Sequence, residues 1–347
     1  MRVSGSFYSL LLLVGWTGLV AGGTIVLLET TVRQDLARAY STTQGKIARS
    51  EVGRGAFIRR GVEIEYNYTV NGIIYTGRRY RYDDHNATLE WDATVEDHPR
   101  GSMQPVYYDP KNPADSLLEP GVDGGDLLLL LFALPMNVLT FAFWRGTITY
   151  WREKPNLRPA GGVRVLKQPG VIRVPLTEVS PLAAGFYGMA AAAFVAAFPV
   201  VMAGGFAPSM GLMKTTWAVV IAAGVVVCVW RAFRNGSGIY DLRLDQTSQT
   251  ITIPQTAGRH RPLTIARQEI SGVSMQRRVS KSPSGTHFSY LPALNRGGLT
   301  ADRESLKLIT WGWSEAKARA FSEWLSRELN VEFKGVEEEK PEFAAKA

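Results

Sequence analysis

The chain contains a single cysteine, Cys228, and only four histidines in 347 residues. One thiol cannot close an internal disulfide, so cysteine usage carries no information about redox compartment. No phosphate-binding glycine loop, zinc motif, nucleophile elbow or paired-carboxylate signature occurs. Ser284-Gly-Thr-His287 sets a hydroxyl near a histidine without an acid partner, and His85 and His98 would need Asp83, Asp84, Asp92 or Asp97 to complete a metal site. The expectation is therefore no enzyme, no metal and no cofactor.

Charge is missing where it matters most. Phe7–Leu28, Leu127–Trp144 and Pro181–Ala203 contain no Asp, Glu, Lys, Arg or His, and Trp217–Phe233 meets only Arg231 near its end. A helix needs roughly 20 residues to cross a hydrocarbon slab of about 30 Å, and each run approaches that length. The expected spans are 7–28, 127–144, 181–203 and 215–233. Spans without ionisable groups disfavour an ion or proton path, which would need them in the bilayer. The first run is read as an uncleaved anchor and not a signal peptide, because apolar character continues through Thr24–Leu28.

The basic residues that remain set the expected topology. Between the second and third runs stand Arg145, Arg152, Lys154, Arg158, Arg164, Lys167 and Arg173 against Glu153 and Glu178, whereas 204–216 carries only Lys214. Short basic loops stay on the cytoplasmic side. Loop 145–180 and both termini are thus expected in the cytoplasm of a multi-pass inner or plasma membrane protein, with 30–125 outside. The net charge of +8 then concentrates at the inner face, where anionic lipid attracts it. Membrane lipid, not nucleic acid, is the partner this distribution implies, together with protein partners whose identity is open.

The stretch after the first run is rich in β-formers. Residues 62–70 alternate by two, Asn71-Gly72 is a type I′ turn pair, and 73–82 returns as the partner strand. A strand from Thr42 and another within 101–113 make at least four, enough for a small antiparallel sheet or barrel. The turn at Asp109-Pro110, followed by Asn112-Pro113, is expected to be side-chain stabilised. The series Thr43-Gln-Gly-Lys-Ile47, Tyr66-Asn-Tyr-Thr-Val-Asn-Gly72, His98-Pro-Arg-Gly101, Val106-Tyr-Tyr-Asp-Pro-Lys-Asn-Pro113 and Leu117-Leu-Glu-Pro-Gly121 resembles the bacterial membrane family catalogued as domain of unknown function 3592. The resemblance extends over roughly 5–145. It implies a fold and no activity.

Strand patterns resume at Ile239–Leu244, 249–253, 261–266, 270–279, 287–291 and 305–310, and Ser314 caps a helix to about Asn330. Short strands closed by one amphipathic helix resemble the pleckstrin-homology-like superfold, here expected over 238–332 as a β-sandwich with a C-terminal helix. Residues 162–175 read as a hairpin able to add strands to it. The acidic tail 333–347 is expected to be disordered.

Arg259, Arg261, Arg277, Arg278 and Lys281 are the candidate contacts for anionic lipid or a partner. Gly18 and Gly22 form a GxxxG pair suited to helix packing, within the chain or in a homo-oligomer. The functional expectation is a non-enzymatic scaffold or signal relay. The rival is a transport-accessory or lipid-handling protein, and a hydrolase comes third.

Overall fold

The computed structural model describes residues 5–52, 62–82, 91–152, 159–177, 179–256, 258–282, 285–297, 305–309 and 312–338. Four helices among them are long and apolar enough to cross a membrane, over Leu10–Ala39, Gly124–Ile148, Pro181–Gly204 and Met210–Gly236. The chain divides into two compact units, residues 1–143 with 185–226 and residues 144–184 with 227–347.

The first unit opens with α1 (Gly5–Leu36), which runs past the expected end of its span because Glu29 and Arg33 form an i,i+4 ion pair at 2.7 Å. β1 (Ser41–Val52), β2 (Val62–Val70), β3 (Ile73–Gly77), α2 (Trp91–Asp97), β4 (Met103–Asp109) and β5 (Asn112–Leu117) follow. The five strands form one antiparallel sheet in the order β3-β2-β1-β4-β5. Asn71 and Gly72 take φ of 53° and 80°, the two left-handed residues that a type I′ turn requires. Ile47, Ile64, Tyr66, Tyr68 and Val106 fill the sheet's buried face. Tyr66 lies over its cross-strand partner Gly77, where a Cβ would come within 2.2 Å of the ring. The single strand expected over 101–113 is two, since Asp109 Oδ1 accepts from the Lys111 N–H at 2.9 Å and turns the chain, and Pro113 sits on edge strand β5.

α3 (Gly124–Arg152), α4 (Pro181–Gly204) and α5 (Met210–Gly236) share a core in this unit built from Leu128, Leu131, Ala193, Ala197, Met213 and Val220. Small residues let the backbones approach. A Cβ at Gly224 of α5 would lie 2.0 Å from Met189 Cγ and 3.1 Å from the Gly185 carbonyl of α4. α1 instead meets α3 through polar pairs, with Trp16 Nε1 donating to Thr140 Oγ1 and Asn137 Nδ2 to Thr24 Oγ1, each at 2.8 Å. A Cβ at Gly18 or Gly22 would meet nothing within 4 Å among the described residues.

The second unit holds β6 (Leu166–Gln168) and β7 (Val171–Pro175) from the α3–α4 connection, then β8 (Asp241–Asp245), β9 (Thr250–Ile253) and β10 (Leu263–Ala266). These form one sheet in the order β10-β9-β8-β7-β6. β7 pairs β8 in antiparallel register from Val171↔Asp245 to Pro175↔Asp241, so the hairpin does complete this sheet. A second sheet, β13-β12-β11-β14, contains β11 (Ile270–Ser282), β12 (Gly285–Arg296), β13 (Ser305–Lys307) and β14 (Phe333–Glu338). Both sheets and α6 (Glu315–Leu329) bury one core, with Val174, Leu242, Ile253, Met275, Leu291 and Phe321 at or near zero exposure. Ser314 caps α6 by accepting from the Lys317 N–H, and Asn330 ends it in the left-handed conformation.

The expected disordered tail is in part a strand. β14 lies parallel to β11, Phe333 packs on the core, and Glu338 pairs with Arg277. Its acidic composition concealed a strand that pairs with β11; residues 339–347 lie outside the described ones.

Candidate functional site

Of the candidate basic residues, Arg259 is committed to main chain: Nε and Nη2 donate to the Pro254 carbonyl at 3.2 and 2.7 Å, and Nη2 to that of Lys307 at 3.0 Å. Arg261 is exposed in the turn before β10. Arg277 and Arg278 lie on β11, in the other sheet, where Arg277 pairs with Glu338 and stacks on Phe288 at 5.4 Å. Lys281 is on the same strand, with its side chain outside the described residues, as are His85, Asp83 and Asp84. Two of the five therefore lie in the β9–β10 connection and three on β11. His98 is held by the Thr94 carbonyl at 2.9 Å and meets Tyr80 edge-on. Among the described residues no three His, Cys, Asp or Glu gather as a metal site.

A denser concentration of charge lies where α5 passes into β8. Arg231 reaches from the last turns of α5 to donate to Thr177 Oγ1, and its guanidinium lies 4.4 Å from the centre of the Tyr240 ring. Arg234 stacks on the same ring at 5.4 Å and on Trp230 at 5.0 Å. Arg173 on β7 stands directly opposite Arg243 on β8. Like charges facing across a ladder are unfavourable, and Asp241 relieves only part of this by accepting from Arg173 at 2.6 Å. The tight turn at Gly238, with φ of 68°, gathers these groups: a Cβ there would lie 2.1 Å from Arg243 Nη2, 2.7 Å from Arg173 Nη2 and 3.0 Å from Asp241 Oδ2.

Arg231, Arg234 and Arg243 each bury an Nε that has no hydrogen-bond partner among the described residues. An orphaned buried donor costs about 1–3 kcal/mol. Beside them opens a cleft of about 630 Å³. Leu176, Val179, Leu308, Ile309 and Trp313 supply its apolar wall, and Arg231, Thr177, Gln255, Thr256 and His260 its polar part. Leu176 and Val179 immediately precede α4. Sequence reasoning passed over Arg231 because it reads as the charge ending a span.

The first unit has a buried polar junction of its own. Arg81 is 3% exposed, and its guanidinium lies 2.9 Å from Asp126 at the start of α3, 3.1 Å from Asp123 and 3.2 Å from the Gly121 carbonyl. Gln34 of α1, 1% exposed, donates to the carbonyls of Glu119 at 2.6 Å and Gly121 at 3.2 Å and accepts from the Tyr82 N–H at 3.0 Å. Asp123 and Asp126 cap α3 reciprocally, each side chain accepting from the other's N–H. The end of α1, the residues after β3 and the start of α3 are thereby fixed to one another.

Near it, Tyr82 donates to Asp115 at 2.9 Å and meets the Tyr40 hydroxyl at 2.8 Å, while Tyr66 meets Ser116 at 3.1 Å. Burial above all pushes the Tyr66, Tyr80 and Tyr82 phenols well above their usual range. Phenols held protonated are poor nucleophiles at neutral pH.

These features define a class: four apolar helices of membrane-spanning length, joined to two β-rich parts that take hold of the helix ends. Residues 43–123 match the family described as Domain of unknown function (DUF3592). The matched stretch runs from β1 to the threshold of α3, so the resemblance read from the sequence applies to the five-stranded sheet of the first unit and its junction. The flanking helices fall outside it. No curated protein and no solved structure matches the chain.

Proposed function

We propose that the chain is a non-enzymatic multi-pass protein of a cell membrane, acting as a scaffold or signal relay with the 43–123 domain outside and the C-terminal β-domain, of pleckstrin-homology-like type, in the cytoplasm. The observation that carries this reading is the β7–β8 ladder. It makes the α3–α4 connection a sheet partner of the strand that follows α5, so a shift of one helix end against another must deform a hydrogen-bonded sheet. The basic connection 145–180 supports the assignment of sides. A superfold alone specifies no ligand.

Removing residues 43–123 should release one set of co-purifying proteins from native membranes, and truncation after Gly238 a different set. If neither deletion releases any protein, the scaffold reading fails. A second reading, a lipid-handling protein, is favoured by one feature, the half-apolar cleft beside Arg231.

A further inference from the structure

We propose that the cleft beside Arg231 is a binding site for the phosphate headgroup of an anionic membrane phospholipid, with Arg231 as its principal ligand. The inference rests on the membrane reading above, and it assigns a specific ligand class to one site.

Charge is the first argument. Arg173, Arg231, Arg234 and Arg243 converge on the α5–β8 turn, and Asp241 is the carboxylate among them. The Arg173–Arg243 opposition is unfavourable, and although Arg173 pairs with Asp241 and Arg243 donates to the Ser237 carbonyl at 2.8 Å, the cluster keeps an excess of positive charge. The negative end of the α5 dipole offsets some positive charge, but it acts within the last turn alone. Geometry is the second argument. Three of these guanidinium groups hold a buried Nε without a partner among the described residues, so the protein does not itself satisfy the cluster; Arg231 is the member that lines the cleft, and a guanidinium is suited to phosphate oxygens. Arg231 is already oriented by Thr177 and by the Tyr240 ring, so little side-chain freedom is lost when an anion binds.

The apolar wall selects the source of the phosphate. Leu176, Val179, Ile309 and Trp313 line the same cleft as Arg231, and a free phosphate gains nothing from them. An amphiphile gains from both parts. Position agrees, because Arg231 lies in the last turns of α5, at the level where a span meets headgroups. The neighbouring faces of that helix are apolar and exposed at Val226, Val229 and Phe233, as lipid contact requires.

The test uses the full chain in neutral-detergent micelles, titrated with phosphatidylglycerol, phosphatidylcholine or inorganic phosphate, reading thermal stability and bound lipid by native mass spectrometry. Phosphatidylglycerol should stabilise the protein saturably. Arg231→Gln should weaken this about tenfold, the loss expected for one charge-assisted fork, and Arg231→Lys should restore only part of it. Lys167→Gln, at an exposed residue of β6 outside the cleft, should leave binding unchanged. Equal losses from Lys167→Gln and Arg231→Gln would show diffuse attraction and overturn the site. Inorganic phosphate reproducing the full effect would overturn the lipid source. If Arg231→Gln lowers stability without lipid, Thr177→Val, which removes only the orienting acceptor, serves instead and should weaken binding severalfold; no change would overturn the role of Arg231. Micelles have no sides, so failure here condemns the site and leaves the proposed topology to be judged separately.

Discussion

Replacing Arg81 by methionine keeps its aliphatic length and removes its charge, leaving the Asp126 carboxylate buried. Breaking one side of a buried ion pair costs about 3–5 kcal/mol. Here the lower figure applies, because Asp126 still accepts from the Asp123 N–H at 2.9 Å and stands at the positive N-terminus of α3. The Gly121 carbonyl likewise keeps its Gln34 donor at 3.2 Å. A loss of about 3 kcal/mol in a domain of this size corresponds to a fall in melting temperature of roughly 10–20 °C. Thermal denaturation in micelles reads the fall, and hydrogen exchange at the Tyr82 and Gly121 amides, which bond to Gln34, localises it. The double variant Arg81→Met/Asp126→Leu should recover at least about 1 kcal/mol, since neither charge is then stranded. If Arg81→Met melts within about 2 °C of wild type, or the two substitutions simply add, the pair does not hold the junction.

Val174→Asp lies in the α3–α4 connection yet should unfold the C-terminal β-domain, costing about 3 kcal/mol or more, because Val174 is fully buried in its core; protease resistance of 241–338 equal to wild type would refute the shared sheet. Gly161→Val should destabilise the same unit by about 2–3 kcal/mol, since φ is 63° and the Cβ would lie 2.6 Å from the Lys317 carbonyl, whereas Gly146→Val, with nothing within 4 Å, should change the melt little. Tyr66, Tyr80 and Tyr82 have folded pKa values raised above the usual 10, so their contribution is fully present below pH 10 and is lost as pH rises beyond it. Phenolate absorbance should accordingly show a late-titrating group of tyrosines whose ionisation coincides with loss of the five-stranded sheet of the first unit; complete titration near pH 10 with the sheet intact would contradict their burial.

What the sequence disclosed were local signals. The four apolar runs, the Asn71-Gly72 hairpin, the Asp109 turn and the Ser314 cap each depend on residues a few positions apart, and each is found where the pattern set it. Asn137, a polar residue within an otherwise apolar run, bonds a neighbouring helix at Thr24. Pairings across long separations were less legible. β14 was hidden by its glutamates, which face solvent while Phe333 turns inward. The arginine cluster was the least legible, because Arg173, Arg231, Arg234 and Arg243 come from three separate stretches that only the β7–β8 register and the Gly238 turn bring together.

The two β-parts hold their helix ends by different chemistry, and the difference bears on how a relay would work. In the second unit the grip is a ladder over Val171–Pro175 and Asp241–Asp245 above a fully apolar core; main-chain bonds shielded this way open only with the domain as a whole. In the first unit it is a set of buried side-chain contacts around Arg81, Gln34 and Asp126. Such a network has discrete satisfied and unsatisfied states, and one displaced charge separates them by a few kcal/mol. A ligand on the first unit's sheet could supply that much, whereas a ligand on the β7–β8 ladder would have to unfold it. On the relay reading, the signal therefore enters at the Arg81 junction, and the inner sheet serves as the rigid element that reads helix position.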